Sequence, residues 1–216
     1  MIYKYSMSKK ELSERFEKYL AEKYPEAKCS LDYKDPFQLL TATILSAQCT
    51  DKRVNIVTKE LFKKYPTPMD MANADYDEMC EVIKSTGIYK NKAKSLISMA
   101  KDLTQKHGGI VPDSLKELTA LAGVGRKTAN VVLGNIYNMP GIVVDTHVKR
   151  IMNRLGLADS GDPVKIEKEL EVLVDGENHC MWGHRVISFG RDICTAKQPK
   201  CAICGVKDVC RYYASL

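Results

Sequence analysis

Apolar residues recur at helical spacing along most of the chain. Leu12, Phe16 and Leu20 stand four apart, one stripe of an α-helix, and Ser8 with Glu11 forms an S-x-x-E capping box ahead of them. Asp35-Pro36 reads as N-cap and first helical residue of the mostly apolar segment Phe37 to Cys49, a buried helix. Thr50 or Asp51 opens the next helix, which runs through Tyr65 until Pro66 and Pro68 break it. Further helices are predicted over Tyr76 to Lys84, Asn91 to Lys106 with Gly108-Gly109 as the stop, Asp113 to Leu121, Lys127 to Tyr137 and Val164 to Val174. Only Gly141 to Val144 looks extended, and four residues cannot make a sheet. The pattern predicts an all-α fold with short connections and no internal repeat.

Composition narrows the class. A chain of 216 residues makes one or two domains at about 150 residues each. With 44% apolar and 28% charged residues it can bury a core and keep a wetted surface, which excludes a disordered tail. No stretch approaches the roughly 18 apolar residues of a membrane span. The start, MIYKYSMSKKELSERF, turns polar before a signal-peptide core could form, so a cytoplasmic protein is expected. In that compartment eight cysteines are reduced thiols and not a disulfide framework.

The net charge of +6 asks for an anionic partner, and its distribution says where. Residues 70–82 hold five acidic and no basic residues, and 162–177 hold six acidic against two basic, as expected of solvated helix faces turned away from an anion. Residues 120–158 carry Arg126, Lys127, Lys149, Arg150 and Arg154 against Asp145 alone, and 189–216 carry five basic against two acidic. The basic excess is local, and it coincides with two unusual motifs.

The first motif is Cys194, Cys201, Cys204 and Cys210, spaced C-x6-C-x2-C-x5-C. Thiolates this close in sequence converge on a soft centre, either tetrahedral zinc or an iron–sulfur cluster. Four-cysteine zinc sites usually pair two short C-x2-C knuckles. Here there is one, and the irregular outer spacings suit a bulkier cubane better. Cys29, Cys49, Cys80 and Cys180 lack such spacing and read as small packing residues.

The second motif is Leu121-Ala122-Gly123-Val124-Gly125-Arg126-Lys127-Thr128-Ala129, between two helical patterns. Gly123 and Gly125 permit positive φ or close backbone approach, Val124 can anchor the turn, and the following helix presents unpaired N–H groups that suit a phosphate. Lys127 falls in the first turn of that helix, where a cation is disfavoured by the macrodipole. It can be a phosphate contact or a nucleophile. A free lysine with pKa about 10.4 is neutral only about once in 2500 at pH 7, so a reactive amine needs desolvation or positive neighbours, and Arg126 is one. Amine chemistry at a sugar or carbonyl carbon also needs a carboxylate. Asp145, in Val143-Val144-Asp145-Thr146-His147, is the acidic residue at hand, and its position also reads as a helix N-cap.

Together these residues resemble the endonuclease III family of DNA glycosylases in the helix–hairpin–helix superfamily. The resemblance runs from about Asp35-Pro36-Phe37 to Cys210 and is carried by Leu45-Ser46-Ala47-Gln48-Cys49-Thr50-Asp51, Gly87-Ile88-Tyr89-Lys90-Asn91-Lys92-Ala93, the lysine hairpin, Val144-Asp145-Thr146-His147 and the four cysteines. It implies two helical domains with DNA in the cleft between them: a barrel over 30–139 ending in the hairpin, and a cluster domain formed by 1–29 with 140–216. It implies a monomeric, bifunctional glycosylase and abasic-site lyase of base excision repair, acting on double-stranded DNA that carries oxidised or ring-saturated pyrimidines or abasic sites. Lys127 would be the nucleophile, Asp145 its acid–base and electrostatic partner, and Cys194, Cys201, Cys204 and Cys210 the ligands of a [4Fe–4S] cluster. By position Gln48 would fill the stack vacated by a flipped base and Ile88, where relatives often carry Leu, would be the apolar wedge. Gly123, Gly125 and Arg126 would hold phosphate, with Arg150, Lys197 and Lys200 as basic supplements. For His147, phosphate contact and helix packing stay equally open.

Several positions depart from the family pattern. Ala122 stands where Pro is usual, Cys49 where Ala is common, and Phe189 where a His is frequent. Two alternatives remain: a glycosylase for mismatched adenine or alkylated bases, and a non-catalytic DNA-binding module with a redox cluster. The adenine-mismatch relatives lack a lysine at the Lys127 position and carry a further C-terminal domain.

Overall fold

The computed structural model describes residues 7–216, and among them no residue lies in a strand. Helix α1 (Lys9–Lys23) starts at the predicted capping box: the Ser8 hydroxyl accepts from Glu11 N, and the Glu11 carboxylate accepts from Ser8 N at 2.7 Å. Helix α2 (Pro36–Leu45) is capped by Asp35, whose carboxylate accepts from Gln38 N at 2.8 Å. It stops at Leu45, short of the predicted Cys49. Ser46 turns its hydroxyl back onto Thr43 O, and Gln48 takes φ +54°, a left-handed conformation that ends a helix.

Thr50 caps α3 (Asp51–Lys64), and the prolines that end it also begin the next element: Pro68 is the first residue of the short α4 (Pro68–Ala72), which the pattern did not predict. Helix α5 (Tyr76–Ile83) runs into a 3-10 turn over Lys84–Thr86. Then come α6 (Tyr89–Lys106), α7 (Leu115–Ala120), α8 (Arg126–Tyr137) and α9 (Thr146–Leu155). The chain ends with α10 (Pro163–Glu171), α11 (His179–Asp192) and α12 (Arg211–Ala214). The stretch Gly141 to Val144 is extended without pairing to a neighbour, and Gly141 N donates to His179 Nδ1 at 3.0 Å.

The chain divides into two compact units, Cys29–Tyr137 and the segments 7–28 with 138–216. Each has its own core. In the Cys29–Tyr137 unit α2 is buried on nearly every side, and Leu39, Leu40 and Leu45 join Leu61, Met79, Leu96 and Leu118. In the other, Phe16 and Leu20 of α1 meet Ile151, Met152, Trp182 and Phe189. Phe16 and Phe189 pack edge to face with centroids 5.4 Å apart. Phe189, 2% exposed, is thereby a core residue.

One charge expectation is corrected. The acidic stretch 162–177 is not wholly solvated, because Glu167 lies beside Ile166 on the buried face of α10. The acidic residues of 70–82 keep to the surface, where Glu78 pairs with Lys64 and Glu81 with Lys84.

Candidate active site

The hairpin joins α7 to α8 through Leu121–Gly125. Leu121 and Val124 are buried and tied by Val124 N donating to Leu121 O, so Val124 anchors the turn as expected. The two glycines differ. Gly123 has φ +76°, and a Cβ on it would lie 2.7 Å from Ser95 Cβ, so it needs both glycine properties. Gly125 needs neither, since its φ is not positive and a Cβ would meet open space. Its carbonyl accepts from Ala129 N at 3.0 Å, the first bond of α8. The N–H groups of the first turn of α8 therefore lack intrahelical acceptors, the arrangement that holds an anion. Gly123, Gly125, Arg126 and Lys127 are all exposed.

The same unit carries Gln48 and Ile88, each exposed and each in the left-handed region, with φ of 54° and 50°. A β-branched residue there is an outlier among folded proteins. Ile88 is the residue immediately before α6 and leaves 48% of its surface in solvent.

In the other unit Asp145 is the N-cap of α9. Its Oδ1 accepts from His147 N and Val148 N, both at 2.8 Å, and its Oδ2 lies 3.1 Å from His147 Nδ1. A carboxylate neighbour places a proton on Nδ1, which turns Nε2 to other partners. His147 also packs against α11, where its Cδ2 would be 2.8 Å from a Cβ on Gly190. Of the roles open to His147, helix packing is therefore present.

The basic residues expected to touch DNA divide into two kinds. Lys197 is exposed, and Lys200 is exposed with its Nζ 3.4 Å from Asp192. Arg150 is turned inward: its Nε and Nη2 donate to Cys194 O at 3.2 and 2.9 Å, and Nη2 also donates to Gly190 O. Arg154, one turn further along α9, was not singled out in the sequence. It donates to Thr195 O at 2.7 Å and Ala196 O at 2.9 Å, reaches Cys194 Sγ at 3.4 Å, and lays its guanidinium over the Tyr212 ring at 4.5 Å. The signal was an arginine pair at i, i+4 just ahead of the cysteine segment.

Cys194, Cys201, Cys204 and Cys210 line one pocket, walled by Leu155, Phe189 and Ile193. Among the described residues no group of three His, Cys, Asp or Glu is placed to hold a single metal ion. Burial pushes the Cys204 and Cys210 thiols up, and the neighbouring cysteines add to it. Thiolates crowded in an apolar cavity need a cationic core to stabilise them, which an iron–sulfur cubane supplies. The donor set fits that group. Of the remaining cysteines, Cys80 is buried, and Cys180 Sγ lies 3.5 Å from His184 Nε2.

Comparison with known proteins places these features together. Residues 41–175 match the model of the HhH-GPD superfamily of base excision DNA repair proteins, and residues 194–210 match the iron-sulfur binding domain of endonuclease III. Endonuclease III of Synechocystis sp. is 44% identical over 204 residues, 94% of this chain and 93% of that protein. A non-covalent endonuclease III–DNA complex superposes with a TM-score of 0.92 at 41% identity, covering 97% of this chain and 98% of that one. A trapped endonuclease III–DNA covalent intermediate matches with the same TM-score and identity over 97% of this chain and 99% of that one.

Proposed function

The chain belongs to the endonuclease III family within the HhH-GPD superfamily, and from that membership we propose that Lys127 is its nucleophile and Asp145 the carboxylate that serves it. The protein is a bifunctional DNA glycosylase and abasic-site lyase of base excision repair, with DNA as its partner and a [4Fe–4S] cluster as its cofactor. The observation that carries the assignment is Lys127 itself: an exposed amine in the first turn of α8, directly behind the hairpin, where a helix N-terminus suits a phosphate. A DNA phosphate held there brings a deoxyribose to the amine.

The Lys127 Nζ lone pair forms a bond to C1′ while the bond from C1′ to the base breaks, and the base leaves with that electron pair and is protonated by the proton that Asp145 has taken from the amine. Opening of the sugar ring converts the adduct to a Schiff base. Loss of a C2′ proton then expels the 3′ phosphate by β-elimination, and water releases the lysine. Asp145 receives the amine proton and opposes the positive charge that develops on the sugar. Asp145 Oδ1 already holds two backbone donors, so Oδ2 is the oxygen with capacity for this work. Gln48 and Ile88 fill and wedge the stack when the damaged base is flipped.

Cys194, Cys201, Cys204 and Cys210 ligate the cluster, which when bound cross-links the 194–210 segment through its thiolates. Arg150 and Arg154 brace that segment by its carbonyls, and Lys197 and Lys200 on it meet backbone phosphates. The favoured lesions are oxidised or ring-saturated pyrimidines and abasic sites in double-stranded DNA. The enzyme works as a monomer in the cytoplasm, where the thiols stay reduced. No helix among the described residues is long and apolar enough to cross a membrane.

Borohydride reduction tests the assignment. The wild type should be captured covalently on a duplex with one ring-saturated thymine or an abasic site, and Lys127→Ala should bind the duplex without capture. Capture of Lys127→Ala at the wild-type level would assign the nucleophile elsewhere.

A further inference from the structure

Lys92 is a buried cation with no part in the chemistry above. It stands in the first turn of α6, where the helix dipole opposes a positive charge, and it is only 5% exposed. Burying an ammonium is unfavourable unless its donors find acceptors. Its Nζ donates to Leu45 O and to Thr86 O, each at 2.8 Å. Leu45 is the last residue of α2, so its carbonyl is an orphan acceptor at the negative end of that helix. Thr86 is the last residue of the 3-10 turn that follows α5.

Both carbonyls sit at the base of an exposed tip. Gln48 follows Leu45 by three residues, and Ile88 follows Thr86 by two. The main chain of Lys92 adds a third tie, its N–H donating to Ile88 O at 3.2 Å. Lone left-handed residues persist only where surrounding contacts over-determine them, and here one side chain anchors the approach to both. An apolar side chain of the same length would fill the space and leave both carbonyls without this donor. Burial lowers the affinity of the amine for its proton, the cost expected of a cation kept inside for its hydrogen bonds.

We infer that Lys92 is a positioning residue for base flipping: it ties the Gln48 and Ile88 tips to one another so that both enter the duplex at a fixed separation. The inference rests on the assignment of Gln48 and Ile88 as gap-filling and wedge residues. It assigns Lys92 no contact with the reacting atoms.

The test separates flipping from chemistry. Lys92→Met, Lys92→Arg, Gln48→Ala and Ile88→Ala are compared with the wild type below their unfolding midpoints. One measurement is single-turnover base release from a duplex with a paired, ring-saturated thymine, alongside the fluorescence rise of a neighbouring 2-aminopurine. The other is borohydride capture on a single-stranded abasic oligonucleotide, where no base has to be displaced.

Lys92→Met should slow base release and the fluorescence rise by about tenfold to a hundredfold and leave single-strand capture within about twofold. Lys92→Arg, which keeps donors in a different geometry, should fall between; it carries the test if the Met variant does not fold. Equal loss on both substrates would reduce Lys92 to a stability residue and overturn the inference. So would wild-type flipping in Lys92→Met or Lys92→Arg while Gln48→Ala and Ile88→Ala are slow. If those two alanine variants flip normally, the wedge assignment falls, and this role of Lys92 falls with it.

Discussion

Asp145 Oδ2 lies 3.1 Å from His147 Nδ1, while Oδ1 of the same carboxylate accepts the backbone N–H groups of His147 and Val148. The side chain is thus a helix cap through one oxygen, while the other meets His147 and is the one proposed to take the amine proton. The two roles can be separated by substitution.

Asparagine caps as well as aspartate but carries no charge and accepts no proton. Asp145→Asn should unfold within about 0.5 kcal/mol of the wild type and lose about 10²- to 10⁴-fold in turnover. Asp145→Ala should lose the same turnover and about 1 kcal/mol of stability besides. Urea unfolding and single-turnover base release check both; full turnover in the Asn variant would leave Asp145 a cap alone.

The hairpin glycines should respond unequally. Gly123→Ala forces a Cβ to 2.7 Å from Ser95 Cβ at a positive φ and should cost about 2 kcal/mol or more, with weakened DNA binding. Ser95→Gly in the same chain should recover part of that, because it relieves the clash and not the dihedral. Gly125→Ala should cost about 1 kcal/mol or less, the difference between two helix caps. Equal losses at the two positions would contradict the asymmetry.

Arg154 should affect DNA binding without touching DNA. Arg154→Met removes the bonds to Thr195 O and Ala196 O that brace the segment carrying Lys197 and Lys200. Affinity for undamaged duplex should fall, and the slope of log K against log salt should shrink by up to about 2, near 0.9 for each phosphate that is no longer neutralised. An unchanged slope, measured by fluorescence anisotropy across a salt series, would show the segment holding its place without this arginine.

Acid should weaken the unit that holds Asp159. The Arg211 guanidinium, with Lys9 adding to it, holds the Asp159 carboxyl below its ordinary value of 3.8. The unfolded chain therefore takes up this proton first as pH falls. The stabilisation is complete above that ordinary value and is lost as pH drops through it towards the lower folded one. Both partners are largely exposed, which keeps the effect small. Asp159→Asn should show a shallower fall of thermal midpoint on the acid side of about pH 4 than the wild type, and parallel curves would remove the pair from the acid response.

Much of this was legible in the sequence because it is local. The capping box at Ser8 and Glu11, the Asp35-Pro36 start of α2 and the Thr50 cap of α3 each depend on residues a few positions apart. The cysteine spacing and the lysine behind the hairpin are likewise short-range patterns. Helix α11 was not legible: it carries Gly183 and Gly190 inside it, residues that local propensity places in turns.

What decided α11 is tertiary. Gly190 lets α9 come so near that a Cβ would sit 2.8 Å from His147 and about 3 Å from Ile151 and Arg150, so the glycine is selected by the neighbouring helix. The inward turn of Arg150, the bracing by Arg154 and the double anchor at Lys92 have the same origin. A side chain's charge is written in the sequence, whereas the acceptor it reaches is set by which distant carbonyls the packed helices leave unpaired beside it. The sequence by itself determined the all-helical fold and the chemical groups available. The tertiary structure decided which of those groups face outward for work and which hold the working ones in place.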